Sequence, residues 1–412
     1  MKCALIGKPL GHSYSKEIHA LIAPYEYRLV ELDESEVAPY LKDRDFDGIN
    51  VTIPYKQTVM PYLDKISDEA KHIGAVNTIV NEGGRLVGYN TDFAGMRALI
   101  LKNGIDVGGK KALVLGTGGT SKTACEVLKS FGAREVVKVS RSAKDGAVRY
   151  EDAYSEHSDA QIIVNATPVG MYPHEDETPI DIDKFECLEG VVDAIYHPLC
   201  TRLVVDAKRK GIKACGGLYM LVAQAVYASG LFQNKEINAD IVDDVYEKVL
   251  GQKRNIVLVG MPSCGKTTIA RGLASITGRE YIDTDCEAEK RAGVKIAQIF
   301  EKEGEGAFRA LEREVVKDAS SKACAIIATG GGVPLCEENV KALSRNGVIV
   351  FLDRDISKLV ATSDRPLSSN VAAIKNMYQK RYPIYLKCAD LHIDANGSVQ
   401  DTINSIRSKL KI

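Results

Sequence analysis

Residues 255–268 read N-I-V-L-V-G-M-P-S-C-G-K-T-T, an apolar strand-forming run from Asn255 to Val259 followed by G-x-x-x-x-G-K-T. That order has a chemical reason. A glycine-rich turn after a strand aims backbone N–H groups at phosphate oxygens, and the helix that follows adds the positive potential of its N-terminus. Gly260, Ser263, Cys264, Gly265, Lys266, Thr267 and Thr268 are therefore predicted to hold a nucleoside triphosphate. Lys266 is placed at the terminal phosphates and the Thr267 hydroxyl on Mg²⁺. Cys264 reads as a small residue at a variable position of the loop, not as a redox switch.

Outward from this loop, strand-like and helix-like runs alternate in both directions, which predicts an α/β protein. Before it lie KCALIG (2–7), GINVTIP (48–54), KALVLG (111–116), EVVKVS (135–140), AQIIVNAT (160–167) and EGVVDAI (189–195). After it lie AIIATGG (325–331), VIVFLD (348–353) and ADLHID (389–394), and 398–412 has helical spacing. A proline-free helical run from Leu218 to Leu250 ends at Gly251, and Gly251–Arg254 reads as a short polar connector. The chain of 412 residues thus divides into 1–251 and 254–412.

The bulk numbers narrow the function. A net charge of −1 offers no basic surface for nucleic acid or anionic membrane. No apolar stretch approaches the roughly 20 residues that span a bilayer. The ten cysteines are dispersed, without Cys-x-x-Cys or Cys/His ligand spacing, and predict a reduced, cytoplasmic protein.

A second glycine-rich turn follows KALVLG: Gly116-Thr-Gly118-Gly119, with Lys122 and Ala124 beyond it. It is an imperfect dinucleotide fingerprint, supported by the next strand, which ends in Ser140-Arg141-Ser142. An acidic residue there would suit the ribose hydroxyls of NAD. An arginine between two serines suits the 2′-phosphate of NADP.

Five strings in 254–412 go further: Tyr281-Ile-Asp283-Thr-Asp285, Phe308-Arg309 with Glu312, Thr329-Gly330-Gly331-Gly332-Val-Pro334, Asp364-Arg365-Pro366-Leu367 and Arg381-Tyr-Pro383-Ile-Tyr385. In this order they resemble shikimate kinase. The resemblance implies ATP and Mg²⁺ as cofactors, with Asp283 in the metal shell beside Thr267. It implies Asp285 at the substrate hydroxyls, Arg309 and Arg381 on its carboxylate, and Gly330, Gly331 and Gly332 against its ring. Arg365 corresponds to a lid arginine over the ATP phosphates. Asp283 also suits a helix cap. The lid segment from Arg354 to Asn370 is short, and Lys358 is the one candidate for the second basic residue the family often carries there.

The first half has its own series: Gly7-Lys-Pro9-Leu10-Gly-His12-Ser13-Tyr-Ser15, Gly48-Ile-Asn50-Val-Thr52-Ile-Pro54-Tyr-Lys56, Gly74-Ala-Val-Asn77-Thr78 and Gly88-Tyr-Asn90-Thr91-Asp92. Then come Asn165-Ala-Thr167-Pro168, Asp193-Ala-Ile-Tyr196-His-Pro198 and Gly217-Leu-Tyr-Met220-Leu-Val-Ala-Gln224. This series resembles shikimate dehydrogenase. It implies Lys56 and Asp92 as the catalytic pair. Ser13, Ser15, Thr52, Asn77, Tyr196 and Gln224 bind the acid, and Thr167 and Gly217 join Gly116, Gly118 and Gly119 at NADP(H). Asn50, Thr78 and Asn90 also read as turn and backbone-capping residues without ligand contact, and His12 as a structural loop histidine. Lys16 and Ala20 depart from the family around the serines, and Asp145 stands where a second basic residue is common.

The implied fold is a substrate α/β lobe (about 1–90 with 218–251), a Rossmann lobe between (about 91–217), and a P-loop kinase with a parallel sheet at 254–412. The implied substrates follow one another, because 3-dehydroshikimate reduced with NADPH gives the shikimate that ATP phosphorylates. The alternatives are a quinate/shikimate dehydrogenase preferring NAD, a gluconate-kinase-like phosphotransferase, or one half degenerate and non-enzymatic. Arg141 speaks against the first, and the F-R, G-G-G and R-Y-P-I-Y strings against the second.

Overall fold

The computed structural model describes residues 1–11, 13–144, 146–359 and 371–412. The chain forms two compact units, Met1–Val249 and Leu250–Ile412. The first unit holds two sheets and the second holds one.

The first sheet comprises β1 (Lys2–Gly7), β2 (Glu26–Glu31), β3 (Gly48–Val51), β4 (Lys65–Ile66), β5 (Thr78–Glu82) and β6 (Arg85–Tyr89), in the order β2-β1-β3-β5-β6-β4. β1 runs parallel to β2 and β3, whereas β5 is antiparallel to β3 and β6. Gly83 and Gly84, at φ 62° and 94°, make the two-residue turn between β5 and β6, which requires positive φ at both positions. Ile6, Ile49, Ile79 and Leu86 fill one face of this sheet.

The second sheet is all parallel: β7 (Lys111–Leu115), β8 (Glu135–Val139), β9 (Ile162–Asn165), β10 (Gly190–Asp193) and β11 (Lys213–Cys215), in the order β11-β10-β9-β7-β8. β7, β9 and β10 are buried along their whole length, as expected for strands covered on both faces. The chain leaves β7 for β8 on one side and returns to β9 on the other. The Gly116–Gly119 turn sits at that switch point, where open α/β sheets open a ligand crevice.

The third sheet, β13-β14-β12-β15-β16, is also parallel and uses β12 (Asn255–Val259), β13 (Tyr281–Asp283), β14 (Ile326–Ala328), β15 (Gly347–Asp353) and β16 (Leu391–Asp394). The G-K-T loop leaves central β12 at the corresponding switch point.

Two readings of the sequence are corrected. The helical run from 218 is two helices, Leu218–Gln233 and Ala239–Lys253, because Asn234 takes a left-handed conformation at φ 50° and ends the first. Gly251, Gln252 and Lys253 are the last residues of the second helix, not a connector. Among the described residues no helix is long and apolar enough to cross a membrane.

Helix Leu218–Gln233 packs on helix Thr91–Lys102, which carries Asp92 at its start. The close approach depends on Gly95, where a Cβ would lie 2.7 Å from the Met220 carbonyl oxygen. Gly95→Ala gains about 1 kcal/mol of helix propensity but loses roughly 1–3 kcal/mol to overpacking. The expected outcome is a lower melting temperature for the first unit by calorimetry. A temperature at or above the wild-type value would remove the packing argument.

Candidate active sites

In the first unit, the loop after β3 brings Lys56 to the start of helix Thr91–Lys102. Lys56 Nζ donates to Asp92 Oδ2, and the two side chains are only 17% and 12% exposed. Asn90 caps this helix by accepting from the Phe93 N–H at 3.2 Å, and its amide donates to the Ala75 carbonyl at 2.9 Å. A Cβ on Gly119 would lie 3.9 Å from Lys56 Cδ. The nucleotide turn therefore faces the Lys56–Asp92 pair.

Asn77 is oriented by its surroundings. Its Oδ1 lies 2.7 Å from the Thr91 N–H, a pure donor, so the oxygen and not the nitrogen must face it. The hydroxyls of Thr78 (3.1 Å) and Thr91 (3.2 Å) converge on the same oxygen. Behind them, Tyr27 Oη donates to Asn50 Oδ1 at 2.8 Å, and Asn50 Nδ2 donates to Thr78 Oγ1 at 3.1 Å and the Asn77 carbonyl at 3.4 Å. With Oδ1 fully engaged, Nδ2 of Asn77 is the group left for a ligand oxygen.

Ser13 Oγ donates to Ser15 Oγ at 3.1 Å and accepts from the Ser15 N–H at 3.2 Å. Tyr14 packs against Tyr196 with ring centroids 5.3 Å apart, and its hydroxyl lies 3.3 Å from His197 Nδ1. Burial pushes the Tyr14 hydroxyl up to about 12 and raises that of Tyr196, so both are neutral donors at physiological pH. Gln224 is buried in helix Leu218–Gln233, its amide donating to the Leu221 carbonyl at 2.8 Å. Thr52 pairs its N–H with the Ile6 carbonyl, and its methyl occupies the space a Cβ on Gly7 would need.

At the nucleotide turn, Gly116 takes φ 107° and a Cβ there would meet Ala166 and Thr167 at 3.2 Å. Gly118 has open space at its Cβ direction and begins helix Gly119–Ser130. Thr167 Oγ1 donates to Asn165 Oδ1 at 2.7 Å, and Asn165 is held through its amide by buried Asp193 at 3.1 Å. Burial raises the Asp193 carboxyl to about 6. Among the described residues the buried Ser140 hydroxyl has no hydrogen-bond partner, while Arg141 and Ser142 are exposed just beyond β8. An orphan hydroxyl beside a solvent-facing arginine fits a phosphate-bearing ligand there. Gly217 lies against the Ala194 backbone, 2.2 Å from its carbonyl oxygen at the Cβ position.

In the second unit, Lys266 Nζ donates to the carbonyls of Gly260 (2.8 Å) and Met261 (3.0 Å). Gly265 at φ 101° and Ser263 at φ 64° shape the turn, and Cys264 is fully buried beneath it. Thr267 Oγ1 donates to Asp283 Oδ2 at 3.0 Å, while Asp283 Oδ1 caps helix Thr284–Ala292 through the N–H groups of Asp285 (3.1 Å) and Cys286 (3.3 Å). Asp283 is thus both a cap and the partner of Thr267. This hydroxyl and carboxylate at the foot of a phosphate loop suit a hard divalent cation.

The Gly330–Gly332 turn gathers the acid site. A Cβ on Gly330 would lie 2.3 Å from Asp285 Oδ1, one on Gly332 2.3 Å from Arg309 Nη1, and one on Gly331 3.4 Å from Arg381 Nη1. Arg309 Nη1 is bidentate to Glu312 at 3.0 and 2.9 Å, and its Nε and Nη2 reach Glu305. Gly304, at φ 83°, kinks helix Ile296–Ser321 one turn before this group. Burial raises the Glu312 carboxyl, against the opposing pull of Arg309. Arg381 Nη1 and Tyr385 Oη both donate to the Gly331 carbonyl, at 3.0 and 2.6 Å.

Residues 5–79 match the shikimate dehydrogenase substrate-binding domain, and residues 262–411 match shikimate kinase. A shikimate dehydrogenase (NADP(+)) of Clostridium beijerinckii is 37% identical over 257 residues, covering 59% of this chain and 95% of that protein. The chain belongs to the shikimate dehydrogenase family. It carries a shikimate kinase domain after the dehydrogenase. Among solved structures, shikimate dehydrogenase 1 from Peptoclostridium difficile is 37% identical, with a TM-score of 0.56 over 60% of this chain and 98% of its own. The Thermus thermophilus enzyme in complex with NADP(H) and shikimate is 31% identical, with a TM-score of 0.54 over 60% of this chain and 99% of its own.

Within the dehydrogenase, Lys56, Asp92, Asn77 and Gly119 meet, as do Ser13 and Ser15 at the start of helix Ser15–Ile22. Within the kinase, Asp285, Arg309 and Arg381 meet around Gly330–Gly332. Arg365, His12 and Asp145 lie outside the described residues. Asn90 caps a helix, as the sequence allowed, whereas Asn50 and Thr78 are not turn residues but strand residues of β3 and β5 whose side chains join the hydrogen bonds behind Asn77. Tyr27 was missed, because a tyrosine in an edge-region strand carries no signal of a buried bond to Asn50. Glu312, quoted with Arg309 in the sequence, proves to be its ion-pair partner, three residues on along one helix face.

Tyr27→Phe keeps the ring stacked on His19 (centroids 3.9 Å apart) and removes only the bond that fixes the Asn50 amide. The expected result is an increase of about fivefold in KM for the acid, from the loss of one neutral hydrogen bond worth about 1 kcal/mol, with KM for the nucleotide unchanged. Steady-state kinetics check it, and an equal change in both KM values would point to general loosening instead.

Proposed function

We propose that this chain reduces 3-dehydroshikimate to shikimate with NADPH at Lys56 and Asp92, then phosphorylates shikimate with ATP around Asp285, Arg309 and Arg381. The observation that carries the reading is that both constellations occur in one chain: a shielded lysine–carboxylate pair facing a dinucleotide turn, and two arginines with an aspartate around a glycine turn beside a phosphate loop.

NADPH, when bound along Gly116–Gly119 with its 2′-phosphate at Ser140–Ser142, supplies the hydride. Lys56 then gives a proton from Nζ to the oxygen that gains charge as the ketone becomes an alcohol. Asp92 accepts from the amine and aims it. Asn77 Nδ2 donates to a substrate hydroxyl, and Ser13, Ser15, Thr52, Tyr196 and Gln224 complete the polar pocket.

In the kinase, MgATP supplies the phosphoryl group. Arg309 and Arg381 hold the carboxylate in fork geometry, and buried Glu312 fixes the Arg309 guanidinium plane. Asp285 accepts from the attacking hydroxyl and takes up its proton. Lys266 would exchange its loop carbonyls for phosphate oxygens, and Thr267 with Asp283 would hold Mg²⁺. Arg365 is assigned to the phosphates from the sequence alone. The near-neutral charge and dispersed free thiols suit a cytoplasmic enzyme whose ligands are small molecules and not nucleic acid or membrane.

Purified chain with 3-dehydroshikimate, NADPH, ATP and Mg²⁺ is expected to yield shikimate and then shikimate 3-phosphate, each step requiring its own cofactor. Lys56→Ala is expected to lower the first rate by roughly 10²–10⁴-fold while added shikimate is still phosphorylated at the wild-type rate. Mass spectrometry of the acids checks both. Unchanged reduction in the Lys56 variant would sink the assignment of the pair, and untouched shikimate in the wild type would sink the kinase reading. NADP compared with NAD tests Arg141.

A further inference from the structure

We propose that Arg354 is a further nucleotide contact of the kinase, binding the phosphate chain of ATP beside the Gly260–Thr268 loop; this rests on reading that loop as the ATP site. Arg354 follows β15 directly, and a Cβ on Gly265 would lie 3.8 Å from its Nη1. Gly265 is the N-cap of helix Lys266–Thr277, so the guanidinium stands at the positive end of a helix dipole and near Lys266.

That placement is electrostatically unfavourable unless an anion completes it. Among the described residues Arg354 makes no ion pair or hydrogen bond, and its Nε is buried without a partner. The two flanking carboxylates are engaged elsewhere. Asp353 Oδ2 accepts from Tyr382 Oη at 3.0 Å and faces His392 Nε2 at 2.8 Å, and Asp355 Oδ1 accepts from the Ser357 N–H and hydroxyl at 2.8 Å. Lys358, the basic residue the sequence favoured for this task, donates instead to the Asn396 carbonyl at 3.0 Å. By contrast, the arginine on the acid side, Arg309, has carboxylate partners in Glu312 and Glu305. Among the described residues, this half-buried arginine beside the phosphate loop thus has no protein charge to balance it, and a polyphosphate is the anion that belongs there.

The test is calorimetric titration of the full chain with MgATP and, separately, with shikimate, for wild type, Arg354→Gln and Arg354→Lys; because the dehydrogenase also takes shikimate, shikimate binding below means the kinase site, identified as the one of two sites lost in an Arg381→Ala control. Arg354→Gln is expected to weaken ATP binding about tenfold, the size of one lost charge-assisted contact. Arg354→Lys should recover part of the loss, and both should keep wild-type shikimate affinity. Added salt should narrow the gap between wild type and Arg354→Gln. Equal ATP affinity in wild type and Arg354→Gln, with shikimate binding intact, overturns the proposal. Parallel loss of ATP and shikimate binding in both variants assigns Arg354 to the fold and also overturns it. A wild-type chain that binds shikimate but not ATP would remove the reading of the loop itself.

Discussion

The first unit is organised by a single ion pair, Lys56 with Asp92. Two charges so far withdrawn from water are tolerated only when paired, because leaving either one alone costs several kcal/mol. The pair ties the loop after β3 to the start of helix Thr91–Lys102. That constraint propagates. The helix start must be capped, which Asn90 does, and its Thr91 N–H must be satisfied, which fixes Asn77. Asn77 in turn needs Thr78, Asn50 and Tyr27 behind it. The polar chain is buried throughout, so no member can be turned without orphaning its neighbour. The Lys56 amine and the Asn77 amide are thereby held in one frame by Asn90, Thr91, Thr78, Asn50 and Tyr27.

The kinase distributes charge differently, and the contrast separates its two ligand regions. Where the acid is to bind, arginine is balanced in advance: Arg309 by Glu312 and Glu305, with Arg381 resting on the Gly331 carbonyl. These groups are held in place and can accept a monovalent carboxylate without a large change in net charge. Where the polyphosphate is to bind, the protein provides cationic groups, helix N-terminus and carbonyl-tethered Lys266, with little compensation. A ligand of several negative charges is needed to complete that region. Thr267 and Asp283 form their own bonded pair at its edge, a hydroxyl and a carboxylate of the kind a hard divalent cation takes.

Much of this was legible in the sequence because the chemistry sits on glycine-bearing turns at the ends of strands, and those turns leave short, ordered strings. Gly330–Gly332 is readable because only residues without a Cβ at 330 and 332 admit Asp285 and Arg309 so closely. The alternating strands of the parallel sheets were legible for the same reason that they are buried: continuous apolar runs. What escaped was set by tertiary context. β2 (EYRLVE) is mostly exposed and charged, and β13 is three residues long, so neither carries a hydrophobic signature. The Gly83-Gly84 hairpin between β5 and β6 was readable and was passed over. The break at Asn234 follows from one residue's backbone, which periodicity does not register. Partners such as Tyr27 for Asn50 lie in strands distant in sequence, and Arg354 gains meaning only once β15 lies beside β12.

That last point extends to how substrate chemistry is encoded. In both units most of the proposed nucleotide-side groups come from the carboxyl ends of strands or the first turns after them, because parallel strands bring those ends to one edge, whereas Arg309, Arg381 and Gln224 are supplied by helices. The support for these groups comes from anywhere in the fold. A motif therefore reports the contacting group and says little about what holds it. In this chain the contacting groups are short strings of residues near in sequence, such as Lys56 in N-V-T-I-P-Y-K. Their supports, Tyr27 and Asp193, are separated from the residues they hold by 23 or more positions. The specificity of the two enzymes for a small polyhydroxylated acid depends on the second group as much as the first. An amide such as Asn77 discriminates a hydroxyl only if it cannot rotate to suit another ligand.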